Sequence, residues 1–200
     1  MAFAMTAGHE LLRQDGLDLS EEFLHWAAKQ RDGLPVVAEG TTLAAAAAAL
    51  ADLGQPQEAL WPYDDRRDQR AGDYRPPDGV RAAALARRTR GGGAVQPKAP
   101  EVRAALDRGL GVLLGIRLYR PWYEVAEDGR IAMPTAGAAP FGGHAVLVVG
   151  YRDGDGEGGG TYIVRNSWGA DWGADGYGFL PYAYVDANGI AAWGLALDAI

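Results

Sequence analysis

Apolar positions recur at helical spacing through the first part of the chain and bunch into strand-like runs in the second. Residues 1–15 fit a helix with Phe3, Ala7, Leu11 and Leu12 on one side, ended by Gly16. Ser20 is a good N-cap for a second helix, because its hydroxyl can accept from a free first-turn amide. Glu21 and Glu22 then suit the positive end of the helix dipole. That helix carries Phe23, Leu24, Trp26 and Ala27. Thr41 or Thr42 caps an Ala-rich helix from about Leu43 to Leu53, stopped by Gly54. Residues 64–100 are rich in Asp, Arg, Pro and Gly and read as irregular, with Gly91-Gly92-Gly93 as a crossing between two lobes. Pro100 opens a helix through about Arg108. Gly111–Leu118 reads as a strand, 119–142 as a loop, and Tyr177–Leu180 as a late strand.

The most informative segment lies between those last elements. The apolar run of 142–151, GGHAVLVVGY, opens on His144, and a second run closes on Asn166. Between them lies the Gly/Asp loop RDGDGEGGG, and the midpoint of 144 and 166 falls inside it. This symmetry predicts a β-hairpin that sets His144 directly opposite Asn166, at the roughly 4.5–5.5 Å Cβ separation of opposed residues. An imidazole held by a carboxamide is two-thirds of a Cys-His-Asn constellation. Trp168 could cover that hydrogen bond and keep water from competing. Gly142 and Gly143 would let a substrate backbone pass close to the ring. Against this stands the plainer possibility of a satisfied core histidine and an Asn that caps a strand. The mirrored spacing and the glycines favour the constellation.

Helices followed by strands imply an α+β protein with a helical lobe and a sheet lobe, and sites favour the cleft between such lobes. The 200 residues suit one domain, with 1–98 mainly helical and 99–200 mainly β. A net charge of −7 argues against a nucleic-acid surface, which needs clustered cations. Arg66-Arg67 and Arg87-Arg88 are short and read as solvated faces. No run reaches the roughly 18 apolar residues of a membrane span, and no secretory leader is apparent, so the default location is cytoplasmic. With no cysteine, no disulfide supports the fold. Asp153-Gly154-Asp155 matches the start of a calcium loop, but the position needing a bidentate Glu is Val164, so no metal is expected. His9 and His25 are read as structural. Trp61, Trp172 and Trp193 are read as core.

These blocks resemble the papain-like cysteine peptidases. The pattern Asn166-Ser167-Trp168-Gly169-x-x-Trp172-Gly173-x-x-Gly176-Tyr177 is highly specific, and GGHAVLVVGY is similar to the family's His block. Leu19-Ser20-Glu21-Glu22, the stretch from Gly40 to Tyr63, and Val102–Ile116 are also similar, so the resemblance spans nearly the whole chain. It implies a two-lobe papain-like fold, with the site in the cleft, and endopeptidase hydrolysis of peptide bonds. The resemblance further implies a peptide or protein substrate and no cofactor. In that mechanism a Cys thiolate attacks the carbonyl, His144 is the acid/base, Asn166 orients it and Trp168 shields the pair. Gly143, Ala145 and Gly40 would lie along the substrate. The nucleophile would stand immediately before Met1, in a segment that also carries an oxyanion-binding Gln. Two explanations follow: the complete protein extends upstream with that Cys, or this is a pseudoenzyme that binds peptides or a partner protein. As written, the chain cannot perform the covalent chemistry.

Overall fold

The computed structural model describes residues 1–35, 40–89, 91–154 and 156–196. The chain divides into two units, Met1–Gly92 together with Ala196, and Gly93–Leu195. Among the described residues, no helix is long and apolar enough to cross a membrane.

The first unit opens with helices α1 (Ala2–Arg13), α2 (Glu21–Lys29) and α3 (Leu43–Leu53). Ser20 caps α2 by accepting from the Phe23 amide at 3.1 Å and also donates to the Trp61 carbonyl at 2.6 Å. Thr42, rather than Thr41, caps α3 by accepting from Ala45 N at 3.1 Å. At Gly54 the chain turns with φ 72°, and a Cβ there would strike the carbonyl of Ala84. The alanines of α3 let α2 come close, and Phe23, Leu24, Ala27, Ala46 and Leu50 are fully buried.

The face of α1 differs from its apolar pattern. Its buried residues are Ala2, Ala4, Met5, Thr6, Gly8 and His9, while Leu11 is 45% exposed. A polar network decides this orientation. His9 Nδ1 lies 3.1 Å from Gln55 Oε1, and Gln55 Nε2 donates to Thr6 Oγ1 at 2.6 Å and to the Ser20 carbonyl at 3.0 Å. These bonds satisfy groups whose burial would otherwise cost more than one exposed leucine. The helix also ends earlier than expected, at Gln14 in the left-handed region (φ 53°) rather than at Gly16.

The stretch 64–100 is more ordered than its composition suggests, with α4 (Val80–Ala84) and strand β1 (Gly91–Val95) inside it. Arg67 is not merely solvated: its guanidinium lies 3.2 Å from the carboxylate of buried Glu22. Asp155 of the calcium-like loop lies outside the described residues.

In the second unit, α5 (Ala99–Asp107) precedes strands β2 (Gly111–Leu118), β3 (Gly142–Asp153), β4 (Gly160–Arg165) and β5 (Tyr177–Pro181). Helix α6 (Tyr182–Asn188) and strand β6 (Gly189–Ala196) follow and were not foreseen. The sheet order is β1-β6-β2-β3-β4-β5. The β2/β3, β2/β6, β3/β4 and β4/β5 pairs are antiparallel. One face carries the main core: Val112, Leu114 and Ile116 of β2, Val146 and Val148 of β3, and Tyr162 and Val164 of β4, packed with Trp122, Trp172 and Leu180. His144 continues the Val148–Val146 row at the end of that face, paired to Ile116 across β2.

Candidate active site

His144 and Asn166 do meet, but not by direct opposition. Across β3 and β4 the partners are Leu147↔Arg165 and Val148↔Val164, so the register extends to place Asn166 beside Val146. The two side chains are therefore diagonal neighbours, within reach of long side chains. A bulge arranges this. Nearer the loop the pairing is Gly150↔Ile163, which leaves Val149 as an extra residue on β3. If the loop-end register ran on through Val149 with no bulge, Asn166 would lie beside Leu147, on the other face of the sheet.

The bond itself is well defined. His144 Nε2 lies 2.8 Å from Asn166 Oδ1, and the Ser167 amide donates to the same oxygen at 2.8 Å. A backbone N–H needs an acceptor, so the atom facing both groups is the carboxamide oxygen. Nε2 therefore carries the proton, and Nδ1 keeps its lone pair for chemistry. Burial pushes His144 below the ordinary histidine value of 6.5, while the bond to Asn166 pulls it back. Asn166 Nδ2 is buried and has no hydrogen-bond partner among the described residues.

Asn166 is held from behind. Its amide donates to the Gly176 carbonyl at 3.0 Å, and the Gly176 amide donates to the Trp172 carbonyl at 2.8 Å. Gly173 sits in this turn with φ 59°, where a Cβ would run into the Tyr177 carbonyl. That contact explains a glycine at 173 in physical terms.

Trp168 packs on the same imidazole, its ring centroid 5.0 Å from that of His144. It is stacked on Tyr123 at 5.1 Å, and Tyr123 meets Phe141 edge-on at 5.8 Å. Tyr123 and Phe141 are 58% and 67% exposed, forming an aromatic shelf beside the histidine. The sequence reading missed Trp122, which is fully buried and lies 6.0 Å from the His144 ring. Its signal was the aromatic pair Trp122-Tyr123 in a stretch otherwise read as loop.

Gly143 and Ala145 flank His144 on the strand, but alternation aims their Cβ positions at the opposite face. A Cβ on Gly143 would lie 3.7 Å from Ile190 Cδ1, and Ala145 is buried. Any substrate contact at these two residues is therefore a backbone contact. Gly40 lies in the first unit at an exposed turn with φ 74°. His9 is fully buried in its network, and His25 is half-buried on α2. Among the described residues, no cluster of His, Asp and Glu could hold a metal ion.

Comparison with known proteins places the chain in a family. The family model described as papain family cysteine protease matches residues 39–192. An uncharacterized peptidase C1-like protein of Acanthamoeba polyphaga mimivirus is 32% identical over 100 residues, covering 49% of this chain and 31% of that protein. A cathepsin B-like protein of Giardia intestinalis is 58% identical over 36 residues, 18% of this chain and 12% of its own length. The chain thus spans about a third or less of these curated relatives. Among solved structures, xylellain, a cysteine protease from Xylella fastidiosa, superposes with a TM-score of 0.86 at 26% identity, covering 99% of this chain and 79% of that one. The bromelain protease from Ananas comosus superposes at 0.68 with 18% identity, covering 98% and 88%, a likeness of fold.

Proposed function

The chain belongs to the papain family of cysteine proteases, and on that premise we propose that the complete protein is a cysteine-type endopeptidase with His144 as its acid/base and Asn166 as the group that orients it. The single observation that carries this reading is the 2.8 Å bond that fixes Nε2 to Asn166 and frees Nδ1. The 200 residues contain no cysteine, so the thiol comes from outside them, adjacent to Met1 in the register the family implies.

The chemistry proceeds in two halves. The thiolate sulfur bonds to the scissile carbonyl carbon while Nδ1–H of the imidazolium gives its proton to the departing amine. Neutral Nδ1 then takes a proton from water, whose oxygen attacks the acyl carbon and expels the thiolate. His144 alone favours the neutral ring, because burial disfavours its charge. A thiolate beside it reverses that preference, so each member of the ion pair supports the charge of the other. Asn166 holds the ring in place through both halves, and Trp168 keeps water from the bond. Gly143, Ala145 and Gly40 are proposed to meet the peptide backbone.

A second reading has one observation in its favour. The exposed shelf of Tyr123 and Phe141 beside Trp168 could hold an apolar peptide side chain with no chemistry at all. One assay separates the two. The protein carrying a Cys residue directly before Met1, with its own upstream segment, should hydrolyse peptides and lose that activity to a thiol reagent. The 200-residue chain should be inert. Binding of peptides without turnover by the longer protein overturns the peptidase reading.

A further inference from the structure

One hydrogen bond fixes the position of a ring nitrogen but leaves the ring plane loosely set, because the second torsion of a histidine is broad. In this site the plane is set by packing. Trp122 meets the imidazole edge-on at 72° with centroids 6.0 Å apart. It lies parallel to Trp172 at 5.7 Å, and Trp172 meets Trp168 edge-on at 5.9 Å. Trp168 closes the circuit on His144 at 5.0 Å. The four rings touch in a closed cycle, and each contact falls in the favoured range for aromatic pairs.

The two tryptophans against His144 are not equivalent. Trp168 is half-buried and leans on the exposed Tyr123. Trp122 is fully buried, on the short helical turn Arg120–Trp122 that follows β2. That turn is pinned, because Trp172 Nε1 donates to the Trp122 carbonyl at 2.7 Å. A wall that is buried on all sides and bonded from behind moves less than one half open to solvent.

We propose that Trp122 is a positioning residue, which fixes the plane of the His144 ring so that Nε2 stays on Asn166 and Nδ1 stays free. Its catalytic meaning rests on the reading of His144 as the acid/base, but the packing argument and its test do not. Trp122 touches no reacting atom in this account. It acts through the imidazole.

The test uses the 200-residue chain with ¹⁵N-labelled histidine. The His144 signal is identified by its disappearance in His144→Ala. In the parent chain it should show one neutral tautomer, protonated at Nε2, with slow exchange of that proton. Trp122→Leu should give mixed tautomers and exchange about tenfold faster, with Trp122→Phe in between. Trp61→Leu, which removes a buried indole from the first unit, should lower stability and leave the His144 pattern unchanged. A parent-like pattern in folded Trp122→Leu overturns the proposal. If that variant does not fold, a parent-like pattern in Trp122→Phe does so. These signals are read without turnover, so an inert longer protein would count against the peptidase and not against Trp122.

Discussion

His144 and Asn166 lie two places apart in the strand register, yet their side chains meet at 2.8 Å on one face of the sheet. Face, more than opposition, is what the hairpin must secure. Deleting Val149 should remove the bulge, let Val148↔Val164 and Gly150↔Ile163 follow in regular alternation, and leave the bond intact. Inserting one alanine after Val164 should turn Asn166 to the other face and abolish it. The ¹⁵N signature of His144 reads both variants. A surviving bond after the insertion would contradict the face argument.

Acid should loosen the first unit through His9. Gln55 Nε2 donates to Thr6 and Ser20, so Gln55 Oε1 must accept from His9 Nδ1–H. His9 Nε2 is buried without a hydrogen-bond partner among the described residues. Burial holds His9 below the ordinary value of 6.5. As pH falls below 6.5 the unfolded chain takes up a proton before the folded chain does, so stability is lost toward acid. Urea melts between pH 7.5 and 4.5 should show His9→Gln losing less stability, by up to about 1.4 kcal/mol per pH unit across the window. Identical slopes would contradict this.

Glu21 works in the opposite direction. Burial pushes its carboxyl up to about 7 from an ordinary 4.5. Between those values the folded chain keeps a proton that the unfolded chain has released, so this contribution is full below pH 4.5 and is lost as pH rises through about 7. Glu21→Gln should therefore raise the melting temperature more at pH 8 than at pH 4.5. An equal shift at both would count against a proton held by burial.

Gly178 is a packing requirement. A Cβ there would come within 2.7 Å of Trp172 Cη2 and 2.8 Å of Ile131 Cδ1. Gly178→Ala should cost about 1–3 kcal/mol in a denaturant melt, since the overpacked indole has to shift. The displaced Trp172 should also disturb the His144 signal through Trp122. A neutral substitution would show that this corner is loosely filled.

Local rules made much of this legible in the sequence. The Ser20 cap, the α3 boundaries with Thr42 and Gly54, the start of α5, and strands β2 and β5 follow from side-chain chemistry within a few residues. The pairing of His144 with Asn166 was visible as mirrored spacing about a glycine loop. The bulge was not, because one extra residue in a run of valines leaves no trace in composition. The buried face of α1 was misread because Gln55, 46 residues from His9, decides it. Trp122 was missed for the same reason. Its partners, His144 and Trp172, come from distant segments, and only tertiary packing makes it part of the site.

The most direct measurement is kcat/KM for peptide hydrolysis by the longer, Cys-bearing protein and its His144→Ala variant, both shown to be folded. We expect the substitution to cost about 10²–10⁴-fold, the usual contribution of a positioned acid/base, with Asn166→Ala falling between variant and parent. A His144→Ala protein that turns over peptide at the parental rate would contradict the account.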